Sequence, residues 1–166
     1  EERIEEMKFL GFGTFILMLF TLLLSVVFFY FAFSPELLIN GLDSEQKIKT
    51  ASNLLLILAI FTPVTIFKRL IEMIYEIRLE NFVTKRITLI GSLITICSVF
   101  YFFSNNNYMI AEYFLFFKII DLLVVITSFI IAKRKYNYDL LKLLSFIKFN
   151  GNVYKKSYKL AYSGLY

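Results

Sequence analysis

Histidine and tryptophan are absent from this chain, and it has a single cysteine. Without imidazole there is no His metal ligand, no bis-His haem site and no His general base. Cys97 alone can form neither an intrachain disulfide nor a paired-cysteine metal site, and its apolar surroundings read as those of a small buried residue. With only six glycines there is no glycine-rich phosphate loop, and no GxSxG serine motif occurs. Gly11-Phe12-Gly13 is too short to count as either. These absences remove the common catalytic architectures, so no enzyme, metal or cofactor is expected. The acidic opening EERIEE lacks the basic lead of a secretion signal, so no cleaved leader is expected.

What is present is apolar: 58% of the 166 residues are hydrophobic, including 20 Phe and 11 Tyr. That is too apolar for a soluble domain of this length and leaves room for about four membrane crossings. The expected fold is an all-α integral membrane protein with four transmembrane helices in two antiparallel hairpins, over residues 1–132, followed by a basic amphipathic tail over 133–166.

The crossings read as 9–33, 51–67, 86–103 and 108–132. The first has no charge and is ended by Ser34-Pro35, because the residue before proline is pushed out of the helical region. Gly11 and Gly13 near its start suit a flexible helix entry, with close approach of another backbone as the alternative. Asn40-Gly41 signals a turn, and Asp43 with Gln46 a capping box that opens a helix near Ser44. Pro63 removes a backbone hydrogen bond and predicts a kink in the second crossing, with Thr62 and Thr65 placed to re-satisfy freed carbonyls. Over 68–81 Leu70, Met73, Ile74 and Ile77 recur at helical spacing opposite Lys68, Glu72 and Glu76, which predicts an amphipathic linker helix in the headgroup region. Gly91, Thr95 and Ser98 place a small, weakly polar face on the third crossing, as expected of close helix packing. The turn Ser104–Asn107 joins it tightly to the fourth.

The fourth crossing carries the anomaly. Lys118 and Asp121 lie near the middle of YMIAEYFLFFKIIDLLVVITSFIIA, where each costs about 2.5 to 3.5 kcal/mol. Three residues apart, they can neutralise each other within the helix; alternatively they meet a polar group on another subunit, or take part in ion or proton movement. Glu112 sits one turn inside the outer end and is expected to reach the outer interface.

Excess positive charge lies in the tail, where 133–166 holds eight Lys and Arg against one acid, Asp139. Lys133, Arg134 and Lys135 begin it. Beyond a predicted helix over 138–149, closed by Asn150-Gly151-Asn152, the residues Tyr154, Tyr158, Tyr162 and Tyr166 recur every fourth position beside Lys155, Lys156 and Lys159. The expected role is docking on anionic lipid headgroups; nucleic-acid binding is not expected, since basic residues after a last crossing follow from topology alone. The 68–86 connection holds five Lys and Arg, the 34–49 connection two and 104–107 none, so both termini are expected on the cytoplasmic side of a plasma or organellar inner membrane. The leading functional expectation is helix–helix recognition of other membrane components, as an accessory subunit or an immunity-type protein. The alternative is a homo-oligomeric channel, pore or small transporter that uses Lys118, Asp121 and Glu112.

Overall fold

A computed structural model describes residues 2–104, 109–137 and 140–163, with side chains for all of these except 2, 3, 140, 141 and 160–163. Among the described residues there is no strand. The helices are α1 (Glu2–Ala32), α2 (Glu45–Phe61), α3 (Val64–Ile77), α4 (Asn81–Phe103), α5 (Ile110–Tyr136), α6 (Leu140–Ser145) and α7 (Gly151–Ser163), with a short 3-10 turn at Pro35–Leu37. Helices α1, α4 and α5 are long and apolar enough to cross a membrane, and α2 with α3 makes a fourth candidate if the bent pair is one crossing.

The charged lead-in is part of α1, which runs unbroken for 31 residues. Only 6% of its most apolar 18-residue stretch is buried inside the protein, so an apolar surface faces outward along most of its length. Two hydrogen bonds from small residues tie it to α2. Ser52 Oγ donates to the Ala32 carbonyl at 2.6 Å, and Ser25 Oγ donates to the Ala59 carbonyl. The paired positions are seven residues apart on both helices and run in opposite directions, which is the repeat of antiparallel helices meshing at a shallow angle. Helix α2 starts one residue later than a capping box on Asp43 requires: Ser44 is the cap and accepts from the Lys47 amide, while Asp43 pairs with the Lys47 ammonium at 3.5 Å.

At Pro63 the axis bends by 43° between α2 and α3. In an unbroken helix residue 63 would donate its N–H to the Ala59 carbonyl, and proline has none to give. The hydroxyls of Thr62 and Thr65 bond to Leu58 and Thr62 carbonyls, both at 2.6 Å, and neither reaches Ala59. Ser25 on α1 takes that carbonyl instead. The donor thus lies on a different helix from the proline that creates the need for it. Ser25→Ala should therefore cost about 1 kcal/mol in the native chain and close to nothing in a Pro63→Ala background, where an N–H is restored. Reversible unfolding in mixed micelles of the four members of that cycle measures it; equal costs in both backgrounds would refute the pairing.

The amphipathic stretch after the bend does not leave its apolar stripe open to a membrane surface. Its apolar face is filled by the chain itself: Ile74 and Tyr75 are 0% exposed, and Leu70 and Ile71 nearly so. They form one core with Met7 and Leu10 of α1, Ala132 of α5 and Leu143 of α6. The Tyr75 hydroxyl donates to the Ser128 carbonyl of α5 at 3.0 Å, so its polar tip is satisfied inside that core. Helix α3 closes with amides of Leu79 and Glu80 bonded to the Glu76 and Tyr75 carbonyls, and Leu79 takes the left-handed conformation usual for glycine at this position.

Helices α4 and α5 form a second antiparallel pair. Phe102 and Phe103 meet Tyr113 edge-on with centroids 5.9 and 5.3 Å apart, and a Cβ on Gly91 would come within 2.7 Å of Val124. The turn at 105–107 and the start of the fourth crossing at Tyr108 lie outside the described residues. Cys97 is exposed on the outward face of α4, not buried.

The tail is not free of the helices either. Helix α6 ends at Ser145, before the predicted boundary, and Gly151 opens α7 instead of closing its predecessor. Leu143 and Val153 are buried, and the Phe146 backbone occupies the space a Cβ on Gly11 would need. Gly11 is thus a close approach and not a flexible entry, whereas nothing lies within 4 Å of a Cβ at Gly13.

Candidate functional site

Two arrangements place charged side chains where they could do something. The first lies where the bend at Pro63 faces the middle of α5. Lys68, one turn beyond the bend, reaches across to Asp121 with its Nζ 3.1 Å from Oδ1. Asp121 is therefore paired with another helix of the same chain and not with Lys118. The geometry of a single helix explains why. Side chains lean toward the helix N-terminus, so a lysine that precedes a carboxylate points away from it, the weaker of the two orientations. Lys118 Nζ accordingly lies over the rings of Phe114 and Phe117, 5.2 Å from each centroid. No carboxylate or other acceptor takes this ammonium among the described residues. A cavity of about 20 Å³ separates the bend from α5, bounded by Phe61, Thr65 and Val125 beside the three charged groups. That is space for about one water molecule, beside the three charged groups in a mostly apolar wall.

Glu112 is farther out on α5, about 9 Å from Lys118 along the axis. It is exposed and lines a wide cleft of about 880 Å³ between the first turns of α2 and α5, together with Lys47, Lys49 and Asn53. The small face of α4 sits behind the ion pair. Gly91 abuts Val124 and Ile120 of α5, and Thr95 and Ser98 turn their hydroxyls back to the Gly91 and Thr95 carbonyls at 3.0 and 2.7 Å. These residues bring α4 and α5 close without bonding across.

The second arrangement is at the end where the start of α1, the α3–α4 turn, the end of α5 and the tail meet. Arg78 pairs with Glu6 at 3.2 Å and its guanidinium lies 4.9 Å from the Tyr136 ring centroid. Glu80 accepts from the Lys135 ammonium and the Tyr136 hydroxyl. These bonds, the one from Lys135 foremost, hold the Glu80 carboxyl below its ordinary range. Lys133 and Arg134 are exposed in the last turn of α5, where cations offset the partial negative charge of the helix end. On α7, Tyr154 and Tyr158 stack with centroids 6.4 Å apart and Lys155, Lys156 and Lys159 are exposed. The side chain of Tyr162, and Tyr166 and Asp139 entirely, lie outside the described residues.

The chain matches no family model, no curated protein and no solved structure. The site therefore has to be read from its own residues. Sequence reasoning missed Lys68, because a lysine at the end of an apolar run looks like the start of a solvated face. It also missed Ser25 and Ser52, since three hydroxyl residues of α1 (Thr14, Thr21 and Ser25) look alike in one dimension. Only Ser25 bonds to another helix; Thr14 and Thr21 bond to their own.

Proposed function

We propose that this chain is a multi-pass membrane protein that acts without catalysis, by recognising other membrane components through its helices, as an accessory subunit of a membrane complex or an immunity-type protein. The observation that carries this reading is Lys118. An ammonium in the middle of an apolar helix costs about 2.5 to 3.5 kcal/mol in a bilayer unless something answers it. The carboxylate one turn along, Asp121, is already held by Lys68 at 3.1 Å. A partner helix bearing an Asp or Glu at matching depth would supply the missing charge. Both termini on the cytoplasmic side of a plasma or organellar inner membrane fit the surplus of Lys and Arg at the tail end, where the start of α1 is found as well.

A second reading rests on a different observation. A helix broken at mid-depth beside an ion pair, with a wide cleft opening toward one end, is the arrangement transporters use to bind charged solutes. In this reading the pair of Lys68 and Asp121 lines a pathway in a homo-oligomer, with Glu112 at its mouth.

The test is gentle extraction of tagged protein from its host with a photo-crosslinker beside position 118. The expected product is a heteromeric complex in which the cross-linked peptide is an apolar helix bearing an acidic residue. Lys118→Glu should dissolve that complex, and reversing the partner's charge should restore it. A bare monomer overturns the reading. A homo-oligomer with ion flux in liposomes that depends on Asp121 would establish the second in its place.

A further inference from the structure

The end of the molecule that holds the tail contains an open cleft of about 350 Å³ between the first turns of α1 and α7. Three lysines line it, Lys8 from α1 and Lys155 and Lys156 from α7, with Glu5 as the one acid among its lining residues. Lys156 makes a loose 3.7 Å contact with Glu5, both side chains more than half exposed, and an exposed pair of that kind is easily exchanged. Lys8 and Lys155 make no ion pair among the described residues. The α7 amides are already engaged, since Asn150 Oδ1 accepts from the Asn152 and Val153 N–H groups, so the donors on offer are ammoniums.

The depth of the cleft identifies what it would hold. Lys8 is the last charge before the apolar run of α1 begins, and Phe9, the first residue of that run, is itself in the cleft wall. A chain of rings, Phe12, Phe149, Tyr154 and Tyr158, runs from α1 to α7 with centroids about 6 Å apart, and the last three are exposed. Aromatic rings beside lysines at the edge of an apolar surface mark the headgroup layer. From these observations we propose that the cleft is a binding site for the phosphate of an anionic glycerophospholipid, whose acyl chains lie along the exposed apolar side of α1. The ammoniums of Lys8 and Lys155 hold the phosphate, and Lys156 leaves Glu5 to join them. This site is independent of the role of Lys118.

The experiment is native mass spectrometry of the full chain in detergent, titrated with phosphatidylglycerol, phosphatidylcholine or soluble glycerol phosphate. Phosphatidylglycerol should bind at least 10-fold more tightly than phosphatidylcholine, and glycerol phosphate should fail to displace it at equal concentration. Each lysine near a lipid phosphate contributes about a fivefold gain in affinity, so Lys8→Gln with Lys155→Gln should weaken phosphatidylglycerol binding by about 25-fold. Lys85→Gln with Arg86→Gln, two exposed charges removed from the same end outside the cleft, should change it less than threefold. Equal losses in the two double variants would show a diffuse charged surface and overturn the site. Equal affinity for the two lipids, or displacement by glycerol phosphate, would overturn it without any variant.

Discussion

Asp121→Leu is expected to destabilise the protein by about 2.5 to 3.5 kcal/mol, and adding Lys68→Leu is expected to return most of that loss. The single variant strands the Lys68 ammonium against an apolar wall, whereas the double variant removes both charges. The native contact is a 3.1 Å ion pair between side chains about a third exposed, 33% for Lys68 and 27% for Asp121, which places the loss toward the lower end of that range. Lys118→Leu belongs in the same experiment. Its ammonium lies over two rings and meets no acceptor among the described residues, so removing it should leave stability unchanged or raise it slightly, while abolishing any recognition that depends on it. Unfolding free energies by steric trapping in bilayers give the three values. If Asp121→Leu and Lys118→Leu cost the same, or if Lys68→Leu does nothing for Asp121→Leu, the cross-helix pair is not what holds the bend against α5.

The second large effect concerns the tail. Gly11→Leu is expected to release α6 and α7 from α1, at a cost of about 1 to 3 kcal/mol, because the new side chain must displace backbone and not the end of a flexible side chain. A Cβ at this position already overlaps the Phe146 carbonyl, and pushing that backbone away uncovers the buried side chains of Leu143 and Val153. Gly13→Leu, two residues on, meets open space and serves as the control. Limited proteolysis should cut the Gly11→Leu chain within 138–150 many times faster than the native one and leave Gly13→Leu unaffected. Identical digestion of all three would mean that the tail does not dock on α1.

Both predictions turn on neighbours invisible to sequence spacing, while other features were plain in it. Pro63 announced a bend because a missing N–H is a property of the residue, and a 43° bend is there. Apolar runs announced helices long enough to cross a bilayer because length and hydropathy are one-dimensional quantities. Gly91 announced a place where a helix could come close because no other residue lacks a Cβ. Each of these properties survives without knowing any neighbour.

The partner of each polar group did not survive that way. Asp121 had a lysine three residues before it and another fifty-three before it, and only the orientation of side chains on α5 and the register of α3 decide for Lys68. Ser25 and Thr21 are equivalent in sequence, and only the antiparallel pairing of α1 with α2 brings Ser25 to the carbonyl that Pro63 leaves open. The same holds for α3, whose apolar stripe would suit a membrane surface as well as a core. Whether it is covered depends on where α1, α5 and α6 run. The sequence by itself thus determined which segments are apolar helices, where one of them must break and which chemistries are impossible without imidazole. Tertiary structure alone decided which charge answers which and what the tail rests on, because those outcomes depend on azimuth and register between helices, and helical periodicity constrains neither.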